Sequence, residues 1–182
     1  MRAREGYRWS VGSVAMLLVF SVHAQQPSPE SEDAPLVDAS LPSIMGHRRL
    51  SDERGKRVVV LFYEDKAHIY DNDAFKGELR RYVADNHLED RVVLYGVANL
   101  GDVGSVPESL VRALIRPAVE RWGADILLDW QGMMRKPPFR FETDASNVGL
   151  IDREGRLRFR YTGVMTEESK KQFYRILRLS LR

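Results

Sequence analysis

The chain has 182 residues, of which 43% are hydrophobic and 30% are charged, a balance typical of a globular protein with one domain of ordinary size. It contains no cysteine, which excludes thiol–disulfide exchange, peroxide reduction through a sulfenic acid, and cysteine-ligated metal or iron–sulfur sites. Lysine and arginine number 28 and acidic residues 26, so the formal net charge is only +2. A nucleic-acid-binding surface needs a strong basic excess, and the composition therefore predicts no nucleic-acid partner.

The first 24 residues have the three parts of a secretory signal peptide. Arg2, Arg4 and Arg8 are basic, residues 11–22 (VGSVAMLLVFSV) are apolar, and VHA precedes the expected cleavage after Ala24. The alternative is a retained membrane anchor, but this apolar run is shorter than the roughly 20 residues that span a bilayer. We therefore expect a periplasmic or secreted protein with no stable membrane anchor after cleavage.

A spacer and one domain are predicted to follow the signal peptide. Residues 25–39 are rich in proline, serine and acidic residues, a composition that favours a flexible spacer. Residues 40–182 form the predicted domain. Cleavage removes three basic residues and Glu5, which leaves 25 residues of each sign in the mature chain.

Two buried strands with a helix between them are predicted in the first half of the domain. The apolar runs 57–63 and 91–100 are continuous rather than alternating, as in strands buried on both faces. Asp71 or Asn72 can cap the intervening helix. The apolar residues of that helix share one stripe (Phe75, Leu79, Tyr82 and Val83).

The clearest helix signal lies between Ser105 and Gly123. Ser105 and Glu108 have the spacing of a capping box, and Gly123 is well placed to end the helix. The apolar residues of this helix are predicted to form a buried face (Leu110, Val111, Leu114, Ile115 and Trp122).

A third strand, a hairpin and a last helix complete the domain. The segment ADILLDWQG predicts a strand that ends in a turn at Gly132, and a hairpin is predicted around residues 153–155. Thr166 is the expected cap of a helix over residues 167–181. Strands joined through helices, followed by a hairpin, indicate an α/β fold in which a mixed central sheet is covered by helices on both faces.

Three arginines alternate along the second strand of the hairpin. Arg156, Arg158 and Arg160 fall on one face of this strand. We interpret them as an exposed face that blocks pairing at the sheet edge. The alternative is a surface that binds an acidic partner.

The segments that predict this architecture resemble thioredoxins and peroxiredoxins. They are RVVVLFYEDKAHIYDNDAFKGELRRYVADN, ADILLDWQG and NVGLIDREGRLRFRYTGVMTEESKKQFYRIL, and the resemblance covers about residues 40 to 182. Within that superfamily the chain is most similar to the small exported YtfJ-like proteins, through DWQG, DREGR and TEES. The resemblance implies a thioredoxin-like three-layer fold, and it implies the fold more than a function.

The same resemblance implies that thiol chemistry has been lost. It places Ala67 and Tyr70 where a thioredoxin carries its two cysteines. Ser146 falls where thioredoxins have a cis-proline and peroxiredoxins have an arginine. Because all of these positions are changed together, we expect a redox-inactive domain that keeps the fold.

Polar side chains remain in the loop after the first strand, at an edge where open sheets tend to bind ligands. His68 with Asp65 or Asp71 are the residues available for general acid–base catalysis. The alternative, which we favour, is that Asp71 and Asn72 cap the next helix while Glu64 and Asp65 lie in a solvated loop. The loop lacks the ligand spacing of a calcium site, and the sequence predicts no metal and no cofactor.

These observations predict a redox-inactive binding module of the bacterial envelope. Its expected partner is an envelope protein or an extended peptide, and the sequence indicates no oligomeric state. The alternative is a non-redox enzyme, a hydrolase or a metal-assisted catalyst, that uses His68 with its neighbouring carboxylates. The residues expected to line the binding groove are Ala67, His68, Ile69, Tyr70, Ser146, Asn147 and Phe139.

Overall fold

The computed structural model describes residues 34–182. Two short 3₁₀ turns cover residues 50–53 and 133–135. The strands and helices, in chain order, are β1 (Ser40–Ser43), β2 (Gly46–Arg49), β3 (Val58–Glu64), α1 (Asp73–Asp85), β4 (Val92–Asn99), α2 (Glu108–Trp122), β5 (Ile126–Asp129), β6 (Asn147–Ile151), β7 (Leu157–Thr162) and α3 (Glu167–Ser180).

All seven strands form one mixed sheet, in the order β2-β1-β5-β4-β3-β6-β7. The pairs β3–β4 and β4–β5 are parallel, whereas β6 pairs antiparallel with both β3 and β7. All residues of β3 are buried, which agrees with its continuous apolar sequence and its place inside the sheet. The predicted α/β fold with a mixed central sheet is confirmed.

Successive residues of β3 divide between two hydrophobic cores, because side chains alternate between the faces of a strand. Val58, Val60 and Phe62 belong to the core that α1 and α3 cover. Val59 and Leu61 belong to the other core. That second core is covered by the segment before β1, the two 3₁₀ turns and the segment 139–141, so helical cover on this face is limited to single turns.

The first described residues are packed against the hairpin. Ala34 and Val37 are buried, and the Val37 N–H donates to the Gly155 carbonyl at 2.9 Å. Residues 34–39, which the sequence assigns to the spacer, are thus part of the folded unit. The predicted signal peptide lies outside the described residues, and no helix within 34–182 combines the length and the apolar character needed to cross a membrane.

Helix α2 differs most from its prediction. It begins at Glu108 with Pro107 as its N-cap and no side-chain capping bond, so the box between Ser105 and Glu108 does not form. Only Val111 is buried on this helix, and the Leu114 side chain is 70% exposed. The predicted buried face is wrong because part of this apolar stripe faces a groove instead of packed core. The end of the helix is confirmed: Gly123 adopts the left-handed conformation, with φ of 68°.

The closing hairpin and helix form where the sequence predicts them. Thr166 is the N-cap of α3, and its side chain accepts a hydrogen bond from the Ser169 N–H. The three alternating arginines are half-buried rather than fully exposed. Arg158 pairs with Asp152, and the guanidinium of Arg156 donates to the Ala34 carbonyl. These arginines therefore bind neighbouring parts of the same chain, whereas the sequence suggested an exposed face.

Candidate functional site: a groove beside a buried ion pair

A buried ion pair lies at the carboxyl end of β3. The strand runs one residue further than predicted, which places Glu64 inside the fold instead of in a solvated loop. The Lys76 ammonium, from α1, donates to Glu64 Oε2 at 2.8 Å and to the Ile69 carbonyl at 2.7 Å. Burial raises the pKa of the Glu64 carboxyl, while Lys76 and the hydroxyl of Ser146 oppose that shift.

Ser146 and Asn72 extend this ion pair into a hydrogen-bonded network. The Ser146 hydroxyl donates to Glu64 Oε1 at 2.7 Å and accepts from Asn72 Nδ2 at 2.8 Å. Asn72 also donates to the Gly163 carbonyl and accepts from the Met165 N–H. Asn72 is the N-cap residue of α1, as predicted, but its side chain caps no helical N–H. Its amide instead ties the start of α1 to the segment before α3.

The loop between β3 and α1 is organised by Asp65. One carboxylate oxygen of Asp65 accepts from the N–H groups of Ala67 and His68 and lies 2.7 Å from His68 Nδ1. The hydrogen bond with Asp65 raises the pKa of the His68 imidazole, and nearby Asp71 and Asp144 act in the same direction. The His68 side chain remains 28% exposed. His68 and Asp65 are thus hydrogen-bonded to each other, and Asp71 takes no part in that hydrogen bond.

A groove with a volume of about 1050 Å³ opens beside this loop. Its floor is formed by the ends of β3 and β4, and its walls by α1, by the stripe of α2 left uncovered and by the 64–73 loop. Exposed apolar side chains gather here: Tyr70 (60% exposed), Val106 and Leu114 all line the groove. Solvent-exposed apolar side chains in one concave surface are typical of a binding site.

The floor of the groove depends on a glycine in β4. A Cβ atom placed on Gly96 would lie 2.8 Å from the Trp122 ring and 3.1 Å from Ile126. Glycine therefore allows the Trp122 ring to approach the sheet, where it meets Phe62 edge-on with a centroid distance of 5.8 Å. Trp122 also lines the groove. Its indole N–H is buried and has no acceptor among the described residues.

The predicted binding residues separate into two groups. Ala67, Ile69 and Tyr70 line the groove. Ser146, Asn147 and Phe139 are buried inside the fold and do not line it, and His68 does not line it either.

Asn147 and Phe139 have structural surroundings that explain their burial. Asn147 holds the backbone of the 142–145 turn, and the Phe139 ring packs against Phe141 in the core on the other face of the sheet. Neither residue lines the groove. Nothing in their local sequence signals that burial.

Sequence reasoning also missed parts of the site that the fold assembles from distant segments. In the sequence, Lys76 does not differ from the other charged residues of its helix. The apolar residues of α2 that form a wall of the groove were predicted to be buried in the core. Within residues 34–182, no group of three or more histidine, aspartate and glutamate side chains could hold a metal ion.

Comparison with solved structures shows the fold. The chain is similar to a thiol-disulfide isomerase from Corynebacterium glutamicum, with a TM-score of 0.62 and 18% identity over 83% of this chain and 98% of that one. A DsbF homologue from Corynebacterium diphtheriae has a TM-score of 0.61 and 12% identity, over 82% and 88% of the two chains. The exposed lipoprotein thioredoxin of Streptococcus pneumoniae has a TM-score of 0.56 and 20% identity, over 76% and 98%.

No protein-family model and no curated protein matches the chain. The identities to the solved structures are too low to transfer any residue's role. What they show is that this cysteine-free chain has the thioredoxin-like fold.

Proposed function

We propose that this chain is an exported, redox-inactive thioredoxin-like protein of the bacterial envelope, related to the YtfJ-like proteins, that acts by binding another protein or a peptide. The observation that carries the proposal is the groove of about 1050 Å³ with exposed apolar side chains on its walls. It lies at the carboxyl ends of parallel strands, where open α/β sheets tend to bind ligands. The signal-like N-terminus and the likeness to an exposed lipoprotein thioredoxin support the envelope location.

Crosslinking in living cells tests this proposal. A photoreactive phenylalanine analogue at position 70 or 114, both in the groove, is expected to capture a defined partner. The matched control positions are Met45 and Val164, which are 66% and 59% exposed but do not line the groove. Leu114→Glu is expected to abolish the adduct formed at position 70, because a charge cannot enter an apolar contact without a large desolvation cost. Equal adducts at all four positions would contradict the placement of the binding site.

A second candidate function rests on the contact between His68 and Asp65. A carboxylate bound to Nδ1 orients an imidazole and leaves Nε2 available as a general base. The hydroxyl of Ser146 is no partner for it, because that group is buried and donates to Glu64. A hydrolase built on His68 would therefore act on a water molecule or on a substrate proton directly.

The titration of His68 should reveal this pair. We expect its imidazole to titrate above the ordinary value of 6.5 in the folded protein and to move back toward that value in Asp65→Asn. Since the folded-state pKa is raised, the stability that this pair contributes is complete below the unfolded-state pKa and is lost as the pH rises through the folded-state pKa. Histidine proton chemical shifts recorded from pH 5 to 9, assigned with His68→Gln, measure the pKa. An unchanged midpoint in Asp65→Asn would show that Asp65 does not control His68 in solution.

A further inference from the structure

The first described residues begin a further strand on the outer side of β7. Among residues 34–182, β7 is the last strand of the sheet, with β6 on its inner side. On its outer side, Leu36 and Arg156 form an antiparallel bridge, and the Leu157 N–H donates to the Pro35 carbonyl at 3.0 Å. Because this pairing is antiparallel, the chain that precedes the bridge is directed along β7 toward the end of that strand.

A bulge in β7 determines which residues can face each other. Relative to β6, β7 has one extra residue between Leu157 and Phe159. Leu157 therefore packs in one core and Phe159 in the other, although residues two apart in a regular strand share a face. Arg160, the next residue, faces the core of Leu157, and its guanidinium donates there to the Phe139 carbonyl at 3.1 Å.

The backbone groups at the end of β7 alternate in direction as well. The Gly163 N–H donates to the Ser146 carbonyl at 2.7 Å, on the side of β6. Successive residues of a strand direct their N–H and C=O groups to opposite sides. The backbone groups of Thr162 and Arg160 therefore point away from β6, toward the outer side of the sheet.

The incoming chain has the matching alternation. The Pro35 carbonyl and the Val37 N–H point toward β7, and the Val37 side chain belongs to the core that Arg160 faces. Continuing this alternation back along the chain gives Asp33 the same two properties, because backbone groups and side chains both repeat every two residues. Allowing for the bulge, Asp33 falls opposite Arg160, with the carboxylate and the guanidinium on one face.

The composition of the preceding segment suits this edge. Residues 25–33 (QQPSPESED) contain three acidic residues and no basic one. Arg156, Arg158 and Arg160 occur at alternate positions at the start and middle of β7. Opposite charges that face each other across an antiparallel pair are stabilising.

We propose that residues 31–33 continue this pairing and form an edge strand on β7, with Asp33 opposite Arg160 and Ser31 opposite Thr162. The occupant of this sheet edge is thus the chain's own acidic segment. The added strand covers backbone groups that would otherwise offer an edge for pairing with other chains. This inference is independent of the binding role proposed for the groove.

The edge strand also fixes where the N-terminal part of the chain leaves the domain. Thr162 pairs with Asn147 in β6, and Asn147 pairs with Tyr63 near the carboxyl end of β3. The groove opens at this same end of the sheet. Whatever precedes Ser31, whether a free N-terminus or a retained anchor, therefore starts from the end of the sheet that carries the groove.

Nuclear magnetic resonance of the predicted mature chain, residues 25–182, tests the inference directly. In the proposed register Glu32 and Tyr161 form a non-hydrogen-bonded pair, with Cα atoms about 4.5 Å apart. We expect a strong nuclear Overhauser effect between the α protons of these two residues. A mixed sample of labelled and unlabelled chains shows whether both protons belong to one molecule.

Hydrogen exchange measures how firmly the edge is covered. We expect the Thr162 amide to exchange at least about tenfold more slowly in the 25–182 chain than in a chain that begins at Ala34. The His47 amide lies in β2, on the opposite edge of the sheet, and should exchange equally in both chains. Circular dichroism melting curves establish that the shorter chain is folded.

A pair of single variants tests the contribution of charge. Asp33→Asn is expected to speed exchange of the Thr162 amide at least about threefold at low salt, and the effect should shrink as salt is added. Glu154→Gln makes the same change of charge at an exposed residue of the same hairpin and should leave this exchange unchanged. Equal effects of the two variants would overturn the pairing of Asp33 with Arg160.

Two other results would overturn the edge strand itself. The first is the absence of the Overhauser effect together with equal exchange of the Thr162 amide in the long and short chains. The second is an Overhauser effect that arises only between labelled and unlabelled molecules, because it would assign the edge to a segment of a second copy of the chain.

Discussion

Replacing Glu64 by leucine should destabilise the protein by about 3–5 kcal/mol, the usual cost of breaking a buried ion pair. The Lys76 ammonium is buried, and its partners in the fold are Glu64 at 2.8 Å, the Ile69 carbonyl at 2.7 Å and, at 3.4 Å, the more exposed carboxylate of Asp73. Without the Glu64 carboxylate, the buried ammonium keeps only the longer contact with Asp73 to balance its charge, and it lies within 6 Å of the ring centroids of Phe62 and Trp122. The hydroxyl of Ser146 loses its acceptor in the same variant. Urea unfolding followed by circular dichroism measures the change.

The double variant Glu64→Leu with Lys76→Met provides the matched comparison. We expect it to recover most of the stability lost in the single variant, because two apolar side chains of similar size replace two charges that were costly to bury. The raised pKa of Glu64 agrees with this expectation, because the effect of burial on that pKa outweighs the attraction of Lys76. A double variant as unstable as Glu64→Leu alone would instead show that the ion pair stabilises the fold more than two apolar side chains do.

The pH dependence of the free energy of unfolding is a second test of the cost of burying Glu64. Because the folded-state pKa of Glu64 is raised above its ordinary value of 4.5, the protonated carboxyl favours the fold. That contribution is complete below the unfolded-state pKa and is lost as the pH rises through the folded-state pKa. The wild type should therefore lose stability over this range relative to Glu64→Gln, whose side chain does not titrate. A rise in relative stability over the same range would mean that Lys76 lowers the pKa of Glu64 overall.

Elements with strong local signals could be predicted from the sequence. The buried strand β3 is predicted correctly from its continuous apolar run, because a strand inside a sheet is buried on both faces. The hairpin and α3 are read correctly because Gly155 and Thr166 supply a turn and a cap whose geometry depends on neighbouring residues. In each case the physical cause lies within a few residues of the feature.

The site could not be predicted in the same way, because its causes are long-range. Helical periodicity shows which residues of α2 share a face, but it does not show whether another element covers that face. Ser146 bonds to Glu64 across 82 positions of the chain, a separation that no local pattern reveals. The resemblance to thioredoxins predicted the fold, whereas the ion pairs around the groove depend on contacts between different elements of that fold.

Asn147 illustrates the difference between a residue near the site and a residue that binds. Its side-chain oxygen accepts from the Glu142 N–H at 3.0 Å and from the Thr162 hydroxyl at 2.9 Å. Its amide nitrogen donates to the Glu142 carbonyl at 2.9 Å and to the Ala145 carbonyl at 3.2 Å. One buried side chain thus holds the turn that presents Asp144 to the groove.

Asn147→Ala should therefore lower the free energy of unfolding by about 2–4 kcal/mol, since several partly buried backbone groups lose their partners at once. Urea unfolding measures the loss, and Thr143→Ala, in the exposed part of the same turn, is the control expected to change stability by less than about 0.5 kcal/mol. Because Asn147 does not line the groove, the folded fraction of the variant should keep the crosslinked adduct formed at position 70. Loss of that adduct without loss of stability would return Asn147 to the binding surface where the sequence first placed it.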